Sequence, residues 1–452
     1  MILNKPKRGS RHQGAASSRR AGAMPWFLLL LFAILIAPGP YARAQVTGQA
    51  GGLVVDVQAA SPHFPDSVDF TLRVRGHDAS RAELNYRLVG EPTTEGIQTE
   101  VDPNASDINL RVKLDLTTHY VPPGAQVVYY WTLTNENGDT TTPEKTFVMS
   151  DDRYTWQSLT DAQKRVSVHW YDGDKAFGNS LLATASGALD RLEHDLAARL
   201  DRPAGIWVYS SQDELLGALP KNIPEWVGGR PFPELALVLA EIAPDDMASR
   251  EIKRIVPHEL SHLVLYQATR NPYNSPPLWM DEGLAVHNQE AHDPAEETSL
   301  EETAAAGTLP PLKALSGSFG ADTDTAVASY GQSGSVMDFV LNDSRYGPAK
   351  FARTVAAFKQ GVTYDDALKA GLGITVDELD KEWRQSVPFK IAAPSSVPAQ
   401  AAPAAPVSNP PADSGIPLRS LFVLVPLAAC AILFVTGALV TLVVLLRRRA
   451  AI

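Results

Sequence analysis

The sequence predicts an α+β domain preceded by an all-β sandwich, with one C-terminal transmembrane helix. Strand-length apolar runs fill residues 50 to about 150, and beyond them the period changes to a sheet followed by helices. Leu421 to Leu446 is a run of 26 residues without a charge, long enough to cross a bilayer with some tilt. The chain has 452 residues, 44% of them hydrophobic and 20% charged, which excludes a disordered or collagen-like chain and supplies more than one core.

The N-terminus reads as a secretory signal, residues 1–44. Basic residues precede the apolar run Trp26 to Ala37, which at 12 residues is too short to span a bilayer. Pro38, Gly39 and Pro40 break any helix, and Ala42-Arg43-Ala44 forms an A-x-A cleavage site. At the other end, Arg447-Arg448-Arg449 directly follows the apolar run and is expected to stay cytoplasmic. A signal in front and a stop-transfer run behind predict a single-pass cell-membrane protein with residues 45–416 outside.

That exported body holds 29 bases against 51 acids. A surface so acidic repels phosphates, so nucleic-acid binding is excluded. The single cysteine, Cys430, lies in the apolar run. Any metal in the body must therefore be held by His, Asp or Glu.

Residues 45–154 are expected to form an immunoglobulin- or fibronectin-like sandwich. Val68 to Val74, Ala82 to Leu88, Ile108 to Leu114 and Gln126 to Leu133 alternate or run apolar at strand length, with turns such as Asn137-Gly138-Asp139 between them. Residues 155–391 are expected to form the α+β domain. Arg165 to Tyr171, Gly205 to Tyr209 and Glu234 to Ile242 read as strands, and Ala176 to Leu200 as a helix. Helical patterns follow at 246–268, 281–291, 325–342, 348–360, 363–370 and 375–385. Residues 392–420 are an Ala/Pro-rich tether, 421–446 the membrane span and 447–452 a basic tail.

One constellation carries chemistry. His258, Glu259 and His262 form H-E-x-x-H. On a helix, two histidines four residues apart project from one face and can share a zinc ion. Glu259, next in sequence, lies where it can take a proton from an attacking water and pass it to a leaving amine. A solvated His/Glu face is the bland alternative. It is disfavoured by Ile255, Val256, Leu260, Leu263, Val264 and Leu265, which would bury this helix and leave its polar groups in need of a partner. A third ligand is available in Glu282, twenty residues after His262 on what reads as the next helix.

H-E-L-S-H followed by Trp279-Met-Asp-Glu-Gly-Leu-Ala285 resembles the gluzincin zinc metallopeptidases, in particular the peptidase MA-like domain of exported bacterial proteins. The resemblance covers roughly residues 155–388. It implies one Zn²⁺ per chain, held by His258, His262 and Glu282, with Glu259 as the base and a peptide or protein as substrate. It also implies an oxyanion donor, for which Tyr330 in Ala328-Ser-Tyr-Gly-Gln-Ser333 is the candidate, with His287 and His292 as rivals. Asp281 is expected to favour a helix start or to hydrogen-bond a zinc histidine.

Two departures from the family pattern matter. No G-x-M-E-N motif precedes His258, although Glu241 sits at the end of the neighbouring strand; this absence favours an endopeptidase over an aminopeptidase. Val286 stands where the thermolysin branch has an aspartate supporting a zinc histidine, so another residue must orient the imidazole. The expected function is a membrane-anchored, extracytoplasmic zinc peptidase. The Glu234–Ile242 strand is expected to offer its free edge to an extended substrate. The alternatives are an aminopeptidase and a non-catalytic adhesion or assembly module on a peptidase-like fold.

Overall fold

The computed structural model describes residues 54–76, 78–102, 107–221, 228–320 and 323–392. The expected signal segment, the tether beyond residue 392, the membrane span and the basic tail lie outside the described residues. Among those described, no helix is long and apolar enough to cross a membrane.

The first elements are eight strands: β1 (Val54–His63), β2 (Ser67–Arg75), β3 (Arg81–Leu88), β4 (Glu95–Glu100), β5 (Asp107–Asp115), β6 (Gln126–Asn135), β7 (Gly138–Thr141) and β8 (Lys145–Val148). They form two antiparallel sheets, one ordered β1-β2-β5 and one ordered β4-β3-β6-β7 with β8 also on β6. The strict in-out alternation of β5 sends Ile108, Leu110, Val112 and Leu114 inward. There they meet Leu84, Tyr129 and Trp131 of the facing sheet, and Phe70 packs edge-on to Tyr129 at 5.1 Å. The four sequence-predicted strands are found within two residues of their expected ends. β1, β4, β7 and β8 were not expected, because their solvent-facing stretches lack the alternation of a half-buried strand.

A third sheet runs β12-β13-β11-β10-β9, from β9 (Gln157–Thr160), β10 (Val166–Trp170), β11 (Ala204–Tyr209), β12 (Gly229–Phe232) and β13 (Leu237–Glu241). The three central strands are parallel, and β9 and β12 pair antiparallel at the edges. Helix α1 (Lys175–Leu196) makes the crossover between β10 and β11, and the short α2 (Gln212–Leu216) follows β11. The strand expected over 234–242 differs. A 3₁₀ turn occupies Pro233–Leu235, Ala236 takes a left-handed φ of 54°, and only then does β13 begin. Its free edge is also absent, because β12 covers it; the edge strands of the sheet are β12 and β9.

Seven helices complete the fold: α3 (Ala248–Thr269), α4 (Leu278–Asn288), α5 (Pro294–Ala305), α6 (Thr323–Asn342), α7 (Pro348–Lys359), α8 (Tyr364–Gly371) and α9 (Val376–Ser386). α3 is buried from Arg254 to Leu265, its apolar residues Ile255, Val256, Leu260, Leu263, Val264 and Leu265 carrying the polar His258, Glu259 and His262 inside with them. One face of this third sheet shares a core with α1, α3 and α4 that includes Val208, Val238, Leu260 and Leu263. The opposite face contributes Trp207, Tyr209, Leu237 and Leu239 to the sandwich core. The buried Asp151 fastens this junction, accepting from the Tyr209 hydroxyl at 3.0 Å and from Arg153 at 2.6 Å. The metal-face helices and the β12 edge are thus held from below by a domain that carries none of the expected site residues.

Candidate metal centre

Pro257 interrupts the hydrogen-bond ladder of α3 one residue before the first histidine. Having no N–H, it leaves the Lys253 carbonyl free of its helical partner, and the Glu290 N–H takes that acceptor at 2.9 Å. The Pro257 carbonyl itself accepts from Ser261 Oγ at 2.8 Å and Asn288 Nδ2 at 3.0 Å. These bonds dock the C-terminal end of α4 onto α3. They are the local reason that residues far apart in sequence meet.

At that junction His258, His262 and Glu282 are buried, and their donor atoms lie within 4.8 Å of one another. Glu282 Oε2 is 3.5 Å from His258 Nε2 and 3.7 Å from His262 Nε2. Tetrahedral bonds of ~2.0–2.2 Å to zinc put neighbouring donors about 3.3–3.6 Å apart, so the spacing and the two-imidazole, one-carboxylate set fit that ion. Gly283, beside Glu282, lets α6 approach closely: a Cβ there would stand 2.4 Å from the Ser333 carbonyl oxygen.

Each imidazole is gripped on its other nitrogen. His262 Nδ1 meets Asp281 Oδ1 at 2.8 Å, and His258 Nδ1 meets the Gln289 side-chain amide at 3.0 Å. A ligating Nε2 leaves the proton on Nδ1. Gln289 therefore presents its oxygen in the metal-binding state, which an amide flip achieves and which gives its buried, unbonded Oε1 a partner. Asp281 does the orienting job allowed for it by the sequence reading. Gln289 was missed, although it lies seven residues past Glu282 on the same helical face.

Glu259 is buried, and its Oε2 makes no hydrogen bond among the described residues. Burial pushes its carboxyl above the usual range, and His258 and His262 partly offset that rise. β12 passes directly over it: a Cβ on Gly229 would lie 2.4 Å from Glu259 Oε1. A cleft of about 460 Å³ opens beside the cluster, with His262, Asp281 and Glu282 on its wall.

Tyr330 is fully buried on α6, edge-on to Phe319 at 4.9 Å, and α6 packs against α4, the helix that carries Glu282. His287 pairs with Asp338 at 2.5 Å, and His292 is exposed. A buried carboxyl that the sequence did not flag is Glu296 in the first turn of α5. It makes no hydrogen bond or ion pair among the described residues, and burial with the nearby Asp293 and Glu282 charges pushes it to about 8.

Residues 184–388 match a family model described as the Peptidase MA superfamily. No curated protein matches the chain. Among solved structures, an M1 zinc metallopeptidase from Deinococcus radiodurans aligns at 14% identity and TM-score 0.34, covering 72% of this chain and 91% of that one. An aminopeptidase N family protein from Idiomarina loihiensis aligns at 8% identity and TM-score 0.33, covering 73% of this chain and 75% of that one. A carbohydrate-binding module of family 56, a β-1,3-glucan binding domain, aligns at 15% identity and TM-score 0.14, covering 20% of this chain and 95% of that one.

Proposed function

We propose, from a peptidase MA superfamily domain over residues 184–388, that the protein is a zinc-dependent peptidase acting as an endopeptidase. The observation that carries this reading is the convergence of His258, His262 and Glu282 beneath a buried Glu259, beside an open cleft. Zinc held there supplies a Lewis acid that polarises a carbonyl and ionises water near neutral pH. The chain's own residues do the rest. Asp281 and Gln289 fix the two imidazole rings, while Glu259 takes the proton of the attacking water and returns it to the leaving amine. The desolvated Glu259 carboxyl suits a proton shuttle, since burial makes it a stronger base than an exposed carboxylate. β12 offers the open edge along which an extended peptide can lie over this carboxyl.

The endopeptidase assignment rests on the missing G-x-M-E-N motif. The apolar run 421–446 supports anchoring in the cell membrane with the catalytic part outside.

The deciding experiment pairs Glu259→Gln with His262→Ala in the zinc-loaded protein. Glu259→Gln is expected to keep one zinc per chain and to lose peptide hydrolysis by ~10²–10⁴-fold. His262→Ala is expected to lose metal and activity together. Undiminished hydrolysis in Glu259→Gln overturns the mechanism, and a zinc-loaded wild type that cleaves nothing in a broad peptide library favours an adhesion module.

A further inference from the structure

One wall of the cleft is made by the end of a 3₁₀ turn, Leu312–Ser316, that packs against α4. The chain leading into this turn is gripped from two helices. Arg384 of α9 donates to the Pro310 carbonyl at 2.6 Å, and Gln332 of α6 donates to the same oxygen at 3.0 Å. Leu312 and Leu315 are buried, so the turn delivers Ser316 to the wall in a fixed place. There Ser316 Oγ is buried and makes no hydrogen bond among the described residues. A buried hydroxyl without a partner is destabilising, and one on the wall of a cleft is completed by whatever enters it.

Several other polar side chains of the wall are committed to the protein itself. Thr269 Oγ1 donates to the Leu265 carbonyl at 2.7 Å, Asn271 Nδ2 to the Phe358 carbonyl at 2.8 Å, and Asn274 Nδ2 to the Val362 carbonyl. Asp281 holds His262, while the Glu234 carboxylate and Arg270 guanidinium both engage the Tyr266 hydroxyl with opposing effect. Charges of both signs thus face the cleft, Glu234 and Asp281 against Arg230 and Arg270. A carboxylate guest lies against the first pair and an ammonium guest against the second, so neither recovers the loss of its water. Leu265, Pro276 and Leu278 give the wall its apolar surface. This combination fits an apolar stem with an uncharged polar head. A side-chain amide has both, and it can donate to or accept from a hydroxyl whichever way the hydroxyl proton points. A wholly apolar guest seals Ser316 Oγ from water and leaves it unpaired.

We propose that the cleft recognises an uncharged amide side chain, of glutamine or asparagine, on the residue flanking the scissile bond, and that Ser316 is the specificity-determining residue that hydrogen-bonds it. This deepens the peptidase reading and rests on it for the bond that is cut, but not for the side chain that is bound.

The test uses the full chain, zinc-loaded, and matched blocked hexapeptides carrying Gln, Asn, Leu, Ala, Glu or Lys at one position, with cleavage points read by mass spectrometry. Cleavage adjacent to Gln and Asn is expected, with kcat/KM about tenfold above the rest. Ser316→Ala is expected to lower the Gln-to-Leu ratio about tenfold at unchanged zinc content, and Ser316→Thr, which keeps the hydroxyl, to retain it. An equal loss for every peptide in Ser316→Ala means a contact to the main chain and overturns the assignment. Cleavage with no side-chain preference, or a preference for Leu, Glu or Lys, overturns it too and leaves the peptidase reading standing; this ranking needs no variant. Calorimetric titration of the metal-free full chain with the Gln and Leu peptides gives a readout free of turnover, the Gln peptide binding more tightly. Equal binding, or tighter binding of the Leu peptide, overturns the proposal. Tighter binding of the Gln peptide by a protein whose zinc-loaded form cleaves none of the series overturns the peptidase reading and leaves the amide site standing.

Discussion

Asp281 and Gln289 hold the far nitrogens of His262 and His258, so ring orientation is set before any metal arrives. Replacing either partner, as in Asp281→Asn or Gln289→Leu, is expected to weaken zinc binding ~10–100-fold with the fold intact, read by competition against a chelator. Glu296 gives a pH prediction. Its carboxyl titrates near 8 in the folded chain, against about 4.5 for the ordinary group. Between those values the unfolded chain binds fewer protons, so this group's contribution makes stability fall as pH rises from about 4.5 to 8. Glu296→Gln removes that loss. Its urea midpoint is expected to pull ahead of wild type from pH 5 to pH 8; parallel midpoints would mean that Glu296 titrates normally. The sequence revealed His258, Glu259, His262 and Glu282 because helix spacing is a local property. It could not reveal Glu296, whose burial depends on how α5 docks.

Among the elements, α3 carries its metal site because of a proline that weakens it. An interior proline costs a helix about 3 kcal/mol, yet Pro257 frees the acceptor that fixes the end of α4. In Pro257→Ala the restored N–H competes for Lys253, so the metal-free protein is expected to be at least as stable while zinc affinity falls. Unchanged affinity would mean that Gln289 is placed by something else. β12 makes a comparable demand at Gly229. Gly229→Ala puts a methyl against the Glu259 carboxyl, and a displacement on the order of 1 Å is expected to lower kcat by about 10²-fold at full zinc occupancy. Strands such as β5 were legible from their alternation. β12 was not, since Gly229-Arg-Pro-Phe232 reads as a loop and is a strand only because β13 lies beside it.

At the scale of the whole molecule, the two cores do not divide at residue 154, where the sequence pattern changes. Trp207, Tyr209, Leu237 and Leu239 belong to the third sheet and bury against the sandwich. A fragment of residues 155–392 would expose that face and is expected to aggregate, whereas the fragment 54–392 is expected to unfold in one cooperative calorimetric transition. Two separable transitions would restore the independent-domain picture. Periodicity finds each sheet's buried faces but does not say which partner covers them, and so this union was illegible.

The shared core also has a genetic consequence. Any lesion that loosens the sandwich loosens the support beneath β13 and β12, and with it the carboxyl they overlie. A screen for temperature-sensitive loss of function should therefore recover substitutions at Leu84 or Trp131 alongside those in α3. Such alleles would be inactive only when warm, and suppressible by changes in the opposite sheet. The inheritance pattern would make a spacer look like part of the enzyme.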